Sequence, residues 1–260
     1  MERAAKGNPG LRSRRLGVSS LAILFAAMAS APPAHAQQFA GDNQWVAPHG
    51  VGTFAATAGE EYAQLYAIAA LIPEWEFNLQ INWYYDDPRD ETGSYTAVNV
   101  YAKRRLWEND AETQGYSVVF GTGAYPEHLE HGTVASAFQS WWAMVTATYG
   151  FLDDAMLLDI LPGASVNLDE SQTGETAWAF TYSSRLAVYG VVPQSALVGE
   201  VFGSAGEASA KPAYRVGVRW ESPRWIVAGT YSAAFDGSPF AGFEVGVIAF
   251  TDPIFCFGGC

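Results

Sequence analysis

The chain has 260 residues, 49% hydrophobic and 14% aromatic, and its 14 Lys and Arg face 27 Asp and Glu for a formal charge of −13. So acidic a chain excludes nucleic acid as a partner, because a phosphate backbone is held by basic surface. Beyond the first 36 residues nothing approaches the roughly 18 uninterrupted apolar residues of a membrane-spanning helix, which leaves a soluble protein or a β-barrel.

Residues 1–36 read as a secretory leader. Arg12, Arg14 and Arg15 form a basic front, Leu21 to Ala29 a short apolar run, and Ala34-His35-Ala36 a small-residue cleavage site. No cysteine follows the run, so a lipoprotein anchor is not expected. The bacterial style of the leader predicts export to a Gram-negative envelope. Cleavage after Ala36 leaves 224 residues with 9 basic and 26 acidic side chains, a net charge of −17. Residues 37–49, with Gly41, Asp42, Asn43 and Pro48, are expected to be an irregular lead-in.

Extended runs follow, near 50–57, 62–71, 74–85, 95–106, 115–124, 133–149, 152–167, 176–189, 194–204, 212–221, 224–235 and 242–250. The third carries the clearest pattern, EWEFNLQINWYY from Glu74 to Tyr85. Trp75, Phe77, Leu79, Ile81 and Trp83 alternate with Glu74, Glu76, Asn78, Gln80 and Asn82, a period of two that fits a strand and no helix. Tyr214, Val216, Val218 and Trp220 alternate in the same way with Arg215, Gly217, Arg219 and Glu221. In the run from Thr96, Arg104 breaks the alternation by falling on the apolar side, where a cation at mid-depth of a bilayer costs about 2–4 kcal/mol. Its place near the strand end lets it reach the headgroups.

Connectors also alternate. Short ones, Ile72-Pro73, 150–154, Val191-Val192-Pro193 and Ser222-Pro223, take turns with longer polar ones at 86–93, 125–132, 168–174, 203–211 and 235–240, apart from the longer 107–114, which occupies a slot expected to be short. Short turns at one rim and longer loops at the other are the habit of outer-membrane barrels. An even count of runs puts both chain ends at the short-turn, periplasmic rim. The predicted fold is therefore all-β, a closed antiparallel up-and-down barrel of about 12 strands over 50–250, with 251–260 as a tail.

The polar parity holds too many ions for a dry core, since even paired buried charges cost several kcal/mol per ion. Glu74, Glu76, Asn78, Gln80, Asn82, Lys103, Arg105, Arg185, Glu200, Arg215 and Arg219 are the expected lining of an internal aqueous space. Glu221 shares their parity. Small residues on that side (Ala179, Ser183, Gly217, Thr230, Ser232) favour an open passage over a salt-bridged plug. Wide aromatics near run ends (Trp75, Trp83, Tyr84, Tyr85, Trp107, Trp141, Trp142, Trp220, Trp225) are expected in two interfacial girdles.

The stretches TAVNVYAKRRLWENDAETQGYSVVFGTGAYPE and LVGEVFG…PAYRVGVRWESPRWIVAGTYSAAF resemble a broad family of bacterial outer-membrane barrels labelled phenol-degradation (meta-pathway) transporters. The resemblance covers about residues 60–250 and rests on barrel patterning, without catalytic signatures. It implies a barrel in the outer membrane that passes small molecules. The chain departs from the usual aromatic ending, because Phe250 is followed by TDPIFCFGGC.

Catalytic and metal candidates are sparse. His128 and His131 stand beside Glu127 and Glu130, too few ligands on too loose a loop to predict a metal centre. Ser136, Ser140, Ser183 and Ser184 lie near the rims, but no Gly-x-Ser-x-Gly elbow accompanies them, so a lipid-modifying enzyme is the weakest of three readings. No cofactor is expected. Cys256 and Cys260 are placed to close a small disulfide loop in an oxidising compartment, or to remain thiols on a chain end. The expected job is a narrow passive pore or transporter, with a closed structural or binding barrel as the alternative. Expected partners are outer-membrane lipid, lipopolysaccharide, the barrel-assembly machinery and a small-molecule solute.

Overall fold

The computed structural model describes residues 42–85, 93–123, 137–168, 176–207, 210–237 and 240–254. The leader, the His128 and His131 loop and the Cys256 and Cys260 tail lie outside the described residues. Twelve strands follow one another: β1 (Gly52–Gly59), β2 (Tyr62–Ile72), β3 (Trp75–Tyr84), β4 (Tyr95–Glu108), β5 (Gly115–Thr122), β6 (Ser140–Phe151), β7 (Met156–Asn167), β8 (Ala177–Tyr189), β9 (Ser195–Gly206), β10 (Ala213–Glu221), β11 (Trp225–Ala234) and β12 (Gly242–Phe250). Each pairs antiparallel with the next, and β1 pairs with β12 from Thr53↔Phe250 to Gly59↔Glu244, so the sheet closes. Closure removes the free edges that a lipid environment cannot satisfy.

Alternation fixes which way each strand faces. On β3, Leu79 is 44% exposed while its neighbour Gln80 is 1% exposed. Inside a closed barrel the buried set must be the inner one. Phe77, Ile81, Val98, Val100, Phe120, Val216 and Val218 are exposed on the outer wall, and Asn78, Asn82, Asn99, Arg215 and Arg219 are buried inside. A continuous apolar belt around a polar interior follows.

The aromatic girdles need two corrections. Trp107 stacks on Tyr116 at 5.6 Å near the short-turn rim, and Trp83 meets Tyr85 at 6.1 Å near the other, both pairs on the outer wall. Tyr84 and Trp142, expected beside them, are instead buried, because each falls one residue off the outward parity. Trp142 packs against Tyr101 at 5.1 Å inside the barrel.

Local chemistry sets the strand ends. Pro73 and Glu74 make the β2–β3 turn with Glu74 at φ 66°, and Leu152, Asp153 and Asp154 all adopt positive φ between β6 and β7. The sixth run starts as a strand only at Ser140, because residues 137–139 form a turn with Phe138 at φ 68°. Pairing of β4 with β5 shifts register between Arg105 and Trp107, which returns Trp107 to the outer wall.

Candidate functional site

The lumen is the place where unlike chemistry converges. Of the residues expected to line it, Glu76, Asn78, Gln80, Asn82, Lys103, Arg185, Glu200, Arg215 and Arg219 sit on the inner wall and are buried. Glu74 does not. It occupies the β2–β3 turn, exposed at the rim, because the chain must reverse before the inward parity begins at Glu76. Arg105 is a half-buried rim residue paired with Glu108 at 2.5 Å.

The inner wall holds an amide cluster on β2 to β4, beside the charged Glu76 and Lys103, and a set of ion pairs opposite. On β2 to β4, Asn99 donates to Gln80 at 3.2 Å, and Gln80 and Gln64 each donate to the Oδ1 of Asn82 at 3.0 Å. Across the barrel, Arg215 bridges Glu200 at 3.2 Å and Glu244 at 3.1 Å. Tyr62 donates to the same Glu244, and Ser183 donates to Glu200 at 2.8 Å. Nearer the short-turn rim, Arg219 donates to Glu221 at 2.5 Å and to the hydroxyl of Tyr189 at 2.6 Å. Each cation therefore meets carboxylates and hydroxyls that offset its desolvation.

The irregular lead-in passes inside the barrel, which its sequence gave no reason to expect. Lys103 donates to Asp42 at 2.6 Å and to the carbonyl of Trp45 at 2.5 Å. Ser117 donates to the carbonyl of Gln44 at 2.6 Å, Thr146 to that of Asn43 at 2.9 Å, and Arg185 to that of Asp42 at 3.0 Å. The backbone N–H of Ala47 donates to Glu76 at 2.6 Å, and that of Gln44 to Thr148 at 3.2 Å. Thr148 in turn donates to Asp159 at 2.5 Å, and Asp159 pairs with Arg185 at 2.8 Å, closing a ring of bonds around the segment. Trp45, Ala47 and Val51 pack with Ala70 of β2.

The far end is narrowed by aromatics. Tyr62, Tyr84, Phe202, Phe240, Ala97, Ala213 and Ala241 form one buried cluster with Tyr95 against it. Phe202 meets Phe240 at 5.3 Å, and Arg215 lies 5.1 Å from the Phe202 ring centre.

Site residues missed from sequence include Asp42, Tyr62, Gln64, Ser117, Thr146, Thr148, Asp159, Tyr189 and Glu244. Extending the alternation to LLDIL and GFEVG would have turned Asp159 and Glu244 inward, since Leu157 and Ile248 share their buried parities. Asp42 had no such signal, because it lies on no strand.

No family model and no curated protein matches the sequence. Solved barrels do resemble the structure. An outer membrane channel from Pseudomonas putida F1 is 14% identical, with TM-score 0.45 over 85% of this chain and 98% of that one. LpxR from Salmonella typhimurium is 10% identical, with TM-score 0.42 over 77% and 100%. A mutant Rh. blastica porin is 16% identical, with TM-score 0.36 over 75% of this chain, which spans 57% of the porin. What those three proteins pass or act on belongs to them.

Proposed function

We propose that this protein is a narrow outer-membrane channel for small molecules, held closed by its own residues 42–51. The apolar outer wall suits hydrocarbon, and the polar inner wall suits a solute path. The observation that carries the reading is how the segment is held. Lys103, Ser117, Thr146 and Arg185 reach its carbonyls by hydrogen bonds, and no described residue from 42 to 51 belongs to a strand. Bonds of this kind contribute about 0.5–1.5 kcal/mol each, and about 1.5–3 where charged, because water replaces them when they break. Residues 42–48 can thus withdraw without opening the sheet, while Gly50 and Val51 stay bonded to Ala70 of β2 as the hinge end of the segment.

A second reading, a permanently closed binding or structural barrel, is favoured by the Tyr62, Phe202 and Phe240 cluster at the far end. Conductance across planar bilayers separates the two. The full mature chain should show a low, intermittent conductance, and a variant lacking residues 42–48 should conduct several-fold more. If neither passes current, the channel reading is wrong and the closed barrel stands.

A further inference from the structure

The outer wall carries one feature that a plain lipid-facing belt does not need. Arg104 is the only charged side chain on the outward parity of the twelve strands, among the described residues. It is exposed, no described carboxylate pairs with it, and its guanidinium lies 5.4 Å from the ring centre of Trp75. Trp75 is its register partner on β3, beside the short-turn rim. Directly along the same face of β4, two residues or about 7 Å away, is Ala102. Ala102 forms part of a cavity of about 670 Å³ in the outer wall, whose walls include Phe77, Val100, Phe120 and Trp141 and whose floor includes Ala67 and Ala69. Small side chains on β2 and β4 between large ones on β1, β3, β5 and β6 create the hollow.

We propose that this hollow and Arg104 together bind one phospholipid of the periplasmic leaflet, with an acyl chain in the hollow and the phosphate on Arg104. A guanidinium matches a phosphate oxygen pair in charge and in fork geometry, and a stacked aromatic holds it level with the interface. Depth and chemistry agree. β4 runs toward the short-turn rim, where a barrel meets the periplasmic leaflet, and that leaflet is built of phospholipid. A cation placed on hydrocarbon alone would be costly, whereas one placed at headgroup depth above an unfilled apolar hollow recruits a lipid that satisfies both. The site depends on membrane insertion and not on whether the lumen conducts, so it survives failure of the channel reading.

Native mass spectrometry of the mature protein, released from detergent after equilibration with palmitoyl-oleoyl-phosphatidylglycerol, tests this. One retained lipid per barrel is expected. Arg104→Gln should lower its occupancy at least five-fold, Arg104→Lys should restore about half, and Ala69→Trp, which fills the floor, should lower occupancy with Arg104 intact. Arg224→Gln, an exposed cation at the same rim paired with Asp252, should change nothing. Heat-modifiable gel migration identifies which variants hold a folded barrel, and occupancies are compared among those. Equal retention by Arg104→Gln, a wild type that leaves detergent without lipid, preference for lipid A, or a dimer seated in the hollow would each overturn the proposal.

Discussion

Lys103 and Asp42 meet at 2.6 Å inside the barrel, with no more than 6% of either side chain exposed, and they join the wall to the inserted segment by one buried ion pair. The same ammonium also reaches the Trp45 carbonyl, so a single side chain holds two points of the segment. Removing one partner of a buried pair leaves the other charge uncompensated, at a cost of about 3–5 kcal/mol. Lys103→Met should therefore expel the segment more readily than it unfolds the barrel. The expected result is a higher open fraction in planar bilayers, with faster proteolysis between residues 42 and 51 and unchanged heat-modifiable migration. A variant that conducts as the wild type does would show that Lys103 does not latch the segment.

Arg215 has a different job, because its ion pairs run to carboxylates of the wall, Glu200 on β9 and Glu244 on β12. It binds Glu200 and Glu244 together, and both carboxylates are buried. Arg215→Met should leave two adjacent buried anions, lowering the temperature at which the barrel loses its compact gel mobility while leaving the conductance of the segment-deleted form in place. Arg215→Met combined with Glu200→Gln should recover part of the loss, since one of the two anions is then gone.

How much of this was legible in the sequence follows from where the period of two operates. Twelve strands and their inward and outward faces could be read because each strand repeats the same alternation against a uniform outer solvent. That repetition turns Glu76, Lys103, Arg185, Glu200, Arg215 and Arg219 to one side, and in the structure they are buried on the inner wall. It failed at Glu74, where a turn interrupts the period, and at Tyr84 and Trp142, where residue type outweighed parity in the reading. The inserted segment was illegible for a deeper reason. Asp42 to Ala47 has no periodicity, and its partners lie 29 to 143 residues away on β3, β5, β6 and β8 among others, so only the closed fold brings them together.

Gly121 tests the aromatic packing at mid-barrel. A Cβ built there would lie 2.4 Å from the Cβ of Tyr101 and 2.7 Å from the Trp142 ring, closer than atoms tolerate. Tyr101 and Trp142 belong to the buried cluster that also holds Val119, Met144 and Leu161, and the first of these clashes involves a backbone-anchored atom that cannot swing away. Gly121→Val should give little folded barrel. Gly229→Ala, with nothing within 4 Å of the added carbon, should fold normally by the same gel assay.

Ion preference provides the last test. Among the described residues, the buried inner wall and segment carry Asp42, Glu76, Asp159, Glu200, Glu221 and Glu244 against Lys103, Arg185, Arg215 and Arg219. When the segment withdraws, Asp42 leaves with it and Glu76 loses the Ala47 N–H, its bonding partner on the segment. The remaining wall keeps an excess of carboxylate, and the cations on it stay committed to their own acids, Arg185 to Asp159, Arg215 to Glu200 and Glu244, and Arg219 to Glu221. Lys103 is the cation released by Asp42, and it faces Glu76 across the β3–β4 register. The open form should thus favour cations weakly, read as a reversal potential under a potassium chloride gradient. Glu76→Gln in the segment-deleted form should carry that potential toward zero or past it by leaving Lys103 unopposed, while Glu74→Gln, exposed in the β2–β3 turn, should shift it far less. Equal shifts from the two substitutions would place the ion path somewhere other than along this inner wall.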